Sequence, residues 1–184
     1  MKRFMFALFL MLLLLGAEQS AVLVYDSEVN TSHWEWDADD AGFEIVIGLD
    51  REKWITGINQ LDFLDTDVRT MSFDYSKEVP ILVYLGQRPS GGYAVNIDQI
   101  FKREQDTVIV VSRRSPKPTE FVTMVLTYPY DFLVVPRQYL VNQHLVVIDQ
   151  HGNVLRRYEN AFPSEERAVY EISVLFQKKE GKDH

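Results

Sequence analysis

Two short stretches combine residue types suited to holding another molecule. In Gly86-Gln87-Arg88-Pro89-Ser90-Gly91-Gly92-Tyr93, Pro89 fixes φ at the start of a turn. The consecutive glycines permit positive φ or a close backbone approach. Such a loop would offer backbone amides and the Arg88 cation to a partner. Its purely structural reading is a tight hairpin connection with Tyr93 in the core, and on spacing alone that reading is preferred. The second stretch is Tyr128-Pro129-Tyr130. A residue before proline stays extended or in a turn, and a cis bond is open to it. Two tyrosines there make either a corner between strands or an amphipathic anchor at an interface. The candidate partner-binding residues are therefore Arg88, Pro89, Ser90, Gly91, Gly92, Tyr93, Tyr128, Pro129 and Tyr130.

Covalent and metal chemistry find little support. The sequence lacks Gly-x-Ser-x-Gly, Ser-x-x-Lys, His-Glu-x-x-His and a phosphate-binding glycine loop. The four histidines, His33, His144, His151 and His184, are far apart, and two fall in turn or tail positions. Asp37-Ala38-Asp39-Asp40-Ala41-Gly42 fails as a calcium loop, because Ala41 and Gly48 stand where an EF-hand needs an oxygen ligand and a glutamate. Asn30-Thr31-Ser32 matters only in a glycosylating pathway. Arg113, Arg114 and Lys117 read as a solvated hairpin tip. No catalytic residue, metal or cofactor is expected.

The elements that must position these loops belong to an ordinary globular chain. Of its 184 residues, 46% are hydrophobic and 25% charged, which excludes a disordered polymer. The net charge of −8 argues against general nucleic-acid binding, which depends on neutralising phosphates. Met1-Lys2-Arg3 followed by an apolar run from Phe4 to Leu15, and then by Gly16, Ala17, Ser20 and Ala21, has the order of a secretory signal peptide over 1–21. The run is too short to span a bilayer, which takes about 20 residues, so no membrane span is expected after cleavage. With no cysteine, the chain can form neither a disulfide framework nor a bacterial lipoprotein anchor.

Beyond the leader most segments read as strands: 22–25, 43–47, 80–85, 93–97, 107–111, 121–127, 132–135, and a late hairpin over 145–149 and 154–158. The unbroken apolar run 80–85 predicts a strand buried on both faces. Asp26 to Gly42 reads as an exposed acidic loop. One helix is predicted near 50–61, with Asp50 as N-cap, Trp54, Ile58 and Leu61 on one face, and Gly57 as a weak point. Residues 163–177 fit a helix capped by Ser164 or a strand. The expected fold is α+β, mainly β, with an antiparallel sheet of short strands. It divides into 22–71 (strands, acidic loop and helix), a β domain over 72–137, and a hairpin and tail over 138–184 packed on the same domain.

A family resemblance adds to this. Phe73-Asp74-Tyr75-Ser76-Lys77-Glu78 leads into the apolar strand and then Leu85 to Tyr93. Pro116, Pro118, Thr127-Tyr128-Pro129-Tyr130 and Val134-Val135-Pro136-Arg137 follow in order. In this order the stretch 72–137 resembles the C-terminal domain of the PrcB family. Ser90 stands where threonine is usual, and the lipidated cysteine of surface-anchored members is missing. The resemblance implies an exported, non-enzymatic bacterial module, periplasmic or extracellular, that associates with and stabilises or modulates a protease or another envelope protein. Pro89-Ser90-Gly91-Gly92-Tyr93 also resembles, over a shorter span, the loops of chagasin-type protease inhibitors. The alternatives are thus an inhibitor or a structural envelope component.

Overall fold

The computed structural model describes residues 21–36, 42–64, 66–141 and 143–159. Strands β1 (Val22–Asp26) and β2 (Glu44–Ile47) precede helices α1 (Arg51–Ile58) and α2 (Thr66–Thr70). Then come β3 (Glu78–Tyr84), β4 (Ala94–Arg103), β5 (Asp106–Arg114) and β6 (Tyr130–Pro136). A single 3-10 turn, Arg137–Tyr139, leads to β7 (His144–Asp149) and β8 (Val154–Tyr158). The fold is mainly β, as predicted, in two sheets: β1-β4-β5-β7-β8 and β2-β3-β6.

Three expectations are corrected. The pairing is not antiparallel throughout, because β5 and β7 run parallel from Asp106↔His144 to Val111↔Asp149. Between them the chain leaves the large sheet, adds β6 to the small one and returns, and such a crossover delivers a parallel neighbour. A second helix, α2, lies beyond the one predicted; at five residues it is too short to leave a periodic signal. No strand forms over 121–127, where only Thr127 makes an isolated bridge, to Arg88. The signal peptide, Asp37–Ala41 and the ambiguous 163–177 lie outside the described residues.

Strand β3 explains why its run is apolar on both faces. Val79, Ile81 and Val83 point into the core shared with the large sheet, where Ile97, Ile109 and Val147 meet them. Leu82 points the other way, into a second core built by Trp54, Ile58, Leu61, Leu64 and Val68 from the helical side. Asp50 does cap α1, accepting from Lys53 N at 2.8 Å. Gly57 costs helix propensity but serves packing: a Cβ there would lie 2.4 Å from Val46 Cγ1, so glycine lets α1 settle on β2.

Asp131 ties the two sheets together. Its Oδ2 accepts from Ile97 N at 2.7 Å, where the β4 register slips between Ile97 and Gln99, and its Oδ1 accepts from Phe132 N at 2.8 Å. Burial pushes this carboxyl above its usual 3.8; the two N–H groups oppose the rise, and the nearby Asp98 charge adds to it. The folded state therefore binds this proton more tightly than the unfolded chain. The stability from that proton is full below about 3.8 and is lost as pH rises through the elevated folded value. Compared with Asp131→Asn, the wild-type protein is expected to gain stability on acidification across that window. Parallel stability–pH curves for the two proteins in urea titrations would refute this.

Candidate functional site

The two stretches singled out in the sequence meet in space. Leu85 N donates to Pro129 O at 3.0 Å. Arg88 and Thr127 exchange both backbone hydrogen bonds, at 2.8 and 2.9 Å, and Gly91 N donates to Thr123 O at 2.9 Å. Thr127 Oγ1 adds a bond to Ser90 O at 2.7 Å. The loop 85–93 is thus zipped along the 123–129 segment. It is not a hairpin: it carries the chain from β3 in the small sheet to β4 in the large one, so its partner is a distant segment.

Within this ribbon the predicted contact residues separate into two groups. Arg88 is not presented to solvent; it is 7% exposed. Its Nη2 donates to Gly42 O at 2.9 Å, and its guanidinium lies 5.3 Å from the Trp36 ring and 5.4 Å from Tyr93. Ser90 and Gly92 are buried as well, and Tyr93 is half-buried, edge-on to Trp36 at 6.3 Å. Pro89 and Gly91 remain exposed. Tyr128 is 39% exposed with its ring stacked on Phe63 at 4.8 Å, while Pro129 and Tyr130 are half-buried. No cis peptide occurs among the described residues, so Tyr128–Pro129 is trans.

The loop glycines serve different ends: Gly86 takes a positive φ of 74°, as Gly152 does at 86° in the late hairpin, whereas Gly91 and Gly92 do not. At Gly92 a Cβ would lie 2.6 Å from Pro116 Cβ and 2.7 Å from Val122 Cγ1, a contact that only a bare backbone permits. At Gly91 nothing outside its chain neighbours comes nearer than 3.8 Å.

Sequence reasoning missed the most exposed part of the ribbon. Phe121 and Met124 are 103% and 84% exposed, with Val125 and Leu126 more than half exposed beside them. Read as a sequence, Phe121 to Leu126 has the composition of a core strand; only the absence of a covering layer sets it apart. The basic cluster was also misread. Arg113 is buried, 4.8 Å from the Trp36 ring and 3.9 Å from Asp149, and its backbone is held by Gln150. Arg114 pairs with Glu120 and Lys117 with Glu35 at 3.5 Å. Trp36, assigned to an exposed acidic loop, is in fact the plate against which both buried guanidiniums rest.

Among the described residues no group of three or more histidines and carboxylates could hold a metal ion. His33 and His151 are exposed, and His144 Nδ1 lies 2.6 Å from Glu159 Oε2. No described helix is long and apolar enough to cross a membrane. The feature that stands out is a neutral, apolar ribbon, 121–128, clasped to a glycine loop. Residues 80–136 match the family model described as PrcB C-terminal. The PrcB-type segment runs from within β3 to the end of β6 and contains the whole ribbon and its loop. Helices α1 and α2 and strands β1, β2, β7 and β8 lie outside it. No curated protein and no solved structure matches the chain.

Proposed function

We propose that this protein is an exported, non-enzymatic accessory module that binds a protein partner, a protease or another envelope protein, and stabilises or modulates it. The observation that carries the reading is the exposed apolar row Phe121, Met124, Val125, Leu126 and Tyr128, which lies inside the PrcB-type segment. An apolar surface held on a hydrogen-bonded ribbon is the arrangement of an interface and not of a core. Pro89 and Gly91 extend it on the loop side. Export rests on the signal-like order of residues 1–21. Stabilisation follows from mass action, since a partner that binds only a folded form raises that form's apparent stability.

The test is a crosslinked pull-down from envelope and secreted fractions, followed by a binding assay with the purified partner. Phe121→Asp is expected to weaken that binding at least about 10-fold, because it forces a charge into the apolar contact. Its melting temperature should stay unchanged, because Phe121 has no packing to lose. Unchanged affinity would remove the ribbon from the interface. If the partner is a protease, a longer half-life in the complex identifies a stabiliser, and lost activity an inhibitor.

A further inference from the structure

A concavity of about 340 Å3 opens where α1, the end of α2 and residues 71–75 meet. It lies outside the PrcB-type segment and shares no residue with the ribbon. Its floor is apolar: Ile55, Phe73 and the ring of Tyr75, with Phe73 anchored edge-on to Trp54 at 5.8 Å. Its rim carries Arg51, Arg69, Thr70, Met71 and Ser72, and among the described residues no carboxylate lines it.

That charge pattern runs against the chain, which has 27 acidic residues to 19 lysines and arginines. Two carboxylates next to lining residues in the sequence are already engaged. Asp50 caps α1 and lies 3.6 Å from Lys53, and Asp74 pairs with Lys77 at 2.9 Å. Neither Arg51 nor Arg69 makes an ion pair among the described residues. Arg69 is held in place by donating to the carbonyls of Leu64, at 3.1 Å, and Leu61, which orients its head at the rim. Arg51 sends its charge toward Tyr75: burial raises that phenol's pKa, and Arg51 is the first cause opposing the rise. Two guanidiniums without an ion pair among the described residues and an apolar floor ask for a ligand with one anionic end and a carbon body.

We propose that this cleft binds a carboxylate attached to a compact apolar group, the chemistry shared by the C-terminus of a peptide ending in an aliphatic residue and a free branched carboxylic acid. Arg51 and Arg69 would take the carboxylate, and Ile55 and Phe73 the carbon body. The cleft has room for one terminal residue, not for a long peptide face.

The test is amide NMR titration of the purified protein with three probes: N-acetyl-Ala-Leu with a free carboxylate, the same peptide as its amide, and 4-methylpentanoate. The free-acid peptide is expected to shift the amides of Ile55, Thr70 and Phe73, and the amide form to bind at least about 10-fold more weakly. Arg51→Gln should cause the same loss with an unchanged melting temperature, since Arg51 is exposed and holds no structural bond. Met71→Asp, which places a carboxylate at the rim, should abolish binding. Equal binding of 4-methylpentanoate assigns the site to free acids, and binding of the peptide alone assigns it to chain termini. Equal binding of acid and amide, an Arg51→Gln protein that binds normally, or no shift at about 10 mM of any probe would overturn the proposal.

Discussion

Trp54→Ala is expected to lower the free energy of unfolding by about 3–5 kcal/mol, the range for deleting a large aromatic from a core. In a chain of this size that is a fall of about 6–20 °C in melting temperature. Trp54 is fully buried at the centre of the second core, with Phe73 and Phe132 each at 5.8 Å. It is the side chain by which α1 grips the outer face of β3 and β6, so its loss leaves a cavity that Leu82 and Ile58 alone cannot close. Trp54→Phe should behave differently. The indole Nε1 is buried with no acceptor among the described residues, and an orphaned donor costs about 1–3 kcal/mol. Phenylalanine gives up volume but also removes that donor. Its loss should therefore be about 1 kcal/mol, well below what the missing ring atoms would suggest. Urea unfolding followed by circular dichroism measures both variants. A phenylalanine variant as weak as the alanine one would show that packing outweighs the unpaired donor.

The contrast between what could and could not be read in the sequence follows from the range of each interaction. The Asp50 cap, the Trp54–Ile58 face and the hairpin around Gly152 are set within a few residues, and local pattern found them. The 80–85 run was legible because a strand with cover on both sides has no polar face to show, and β3 lies between two cores. Phe121 to Thr127 has the same local chemistry and forms no strand, because β propensity expresses fit to a neighbour and this segment has mainly the short loop 88–92 beside it. The parallel placement of β7 depends on a crossover through the other sheet, which leaves no local mark. The same limit governs the site. That 85–93 and 123–129 lie together is a long-range pairing that no local pattern announces, and the exposed apolar row was hidden by its resemblance to a core strand.

Arg88 shows the same limit at a single residue, and it reverses an expectation. Between glycines and a proline, Arg88 reads as a loop-tip cation whose removal should weaken association and spare the fold. The structure makes it an internal brace: β3's exit loop, the Gly42 carbonyl before β2, and the Trp36 ring are all held by one guanidinium. Arg88→Ala is therefore expected to cost about 2–4 kcal/mol of stability, from a charge-assisted hydrogen bond, cation–π contact with two rings and the space left behind. Arg88→Lys should recover little, since an ammonium cannot both reach Gly42 O and keep the guanidinium's contacts with the Trp36 and Tyr93 rings. Arg88→Met should recover more than lysine does, because replacing a buried cation by an apolar chain of similar length removes its desolvation cost along with its bonds. Thermal and urea unfolding of the three variants give the order Met above Lys above Ala. If Arg88→Ala melts with the wild-type protein, the brace is wrong and Arg88 returns to the contact surface; if lysine restores full stability, charge alone and not the planar fork holds the loop.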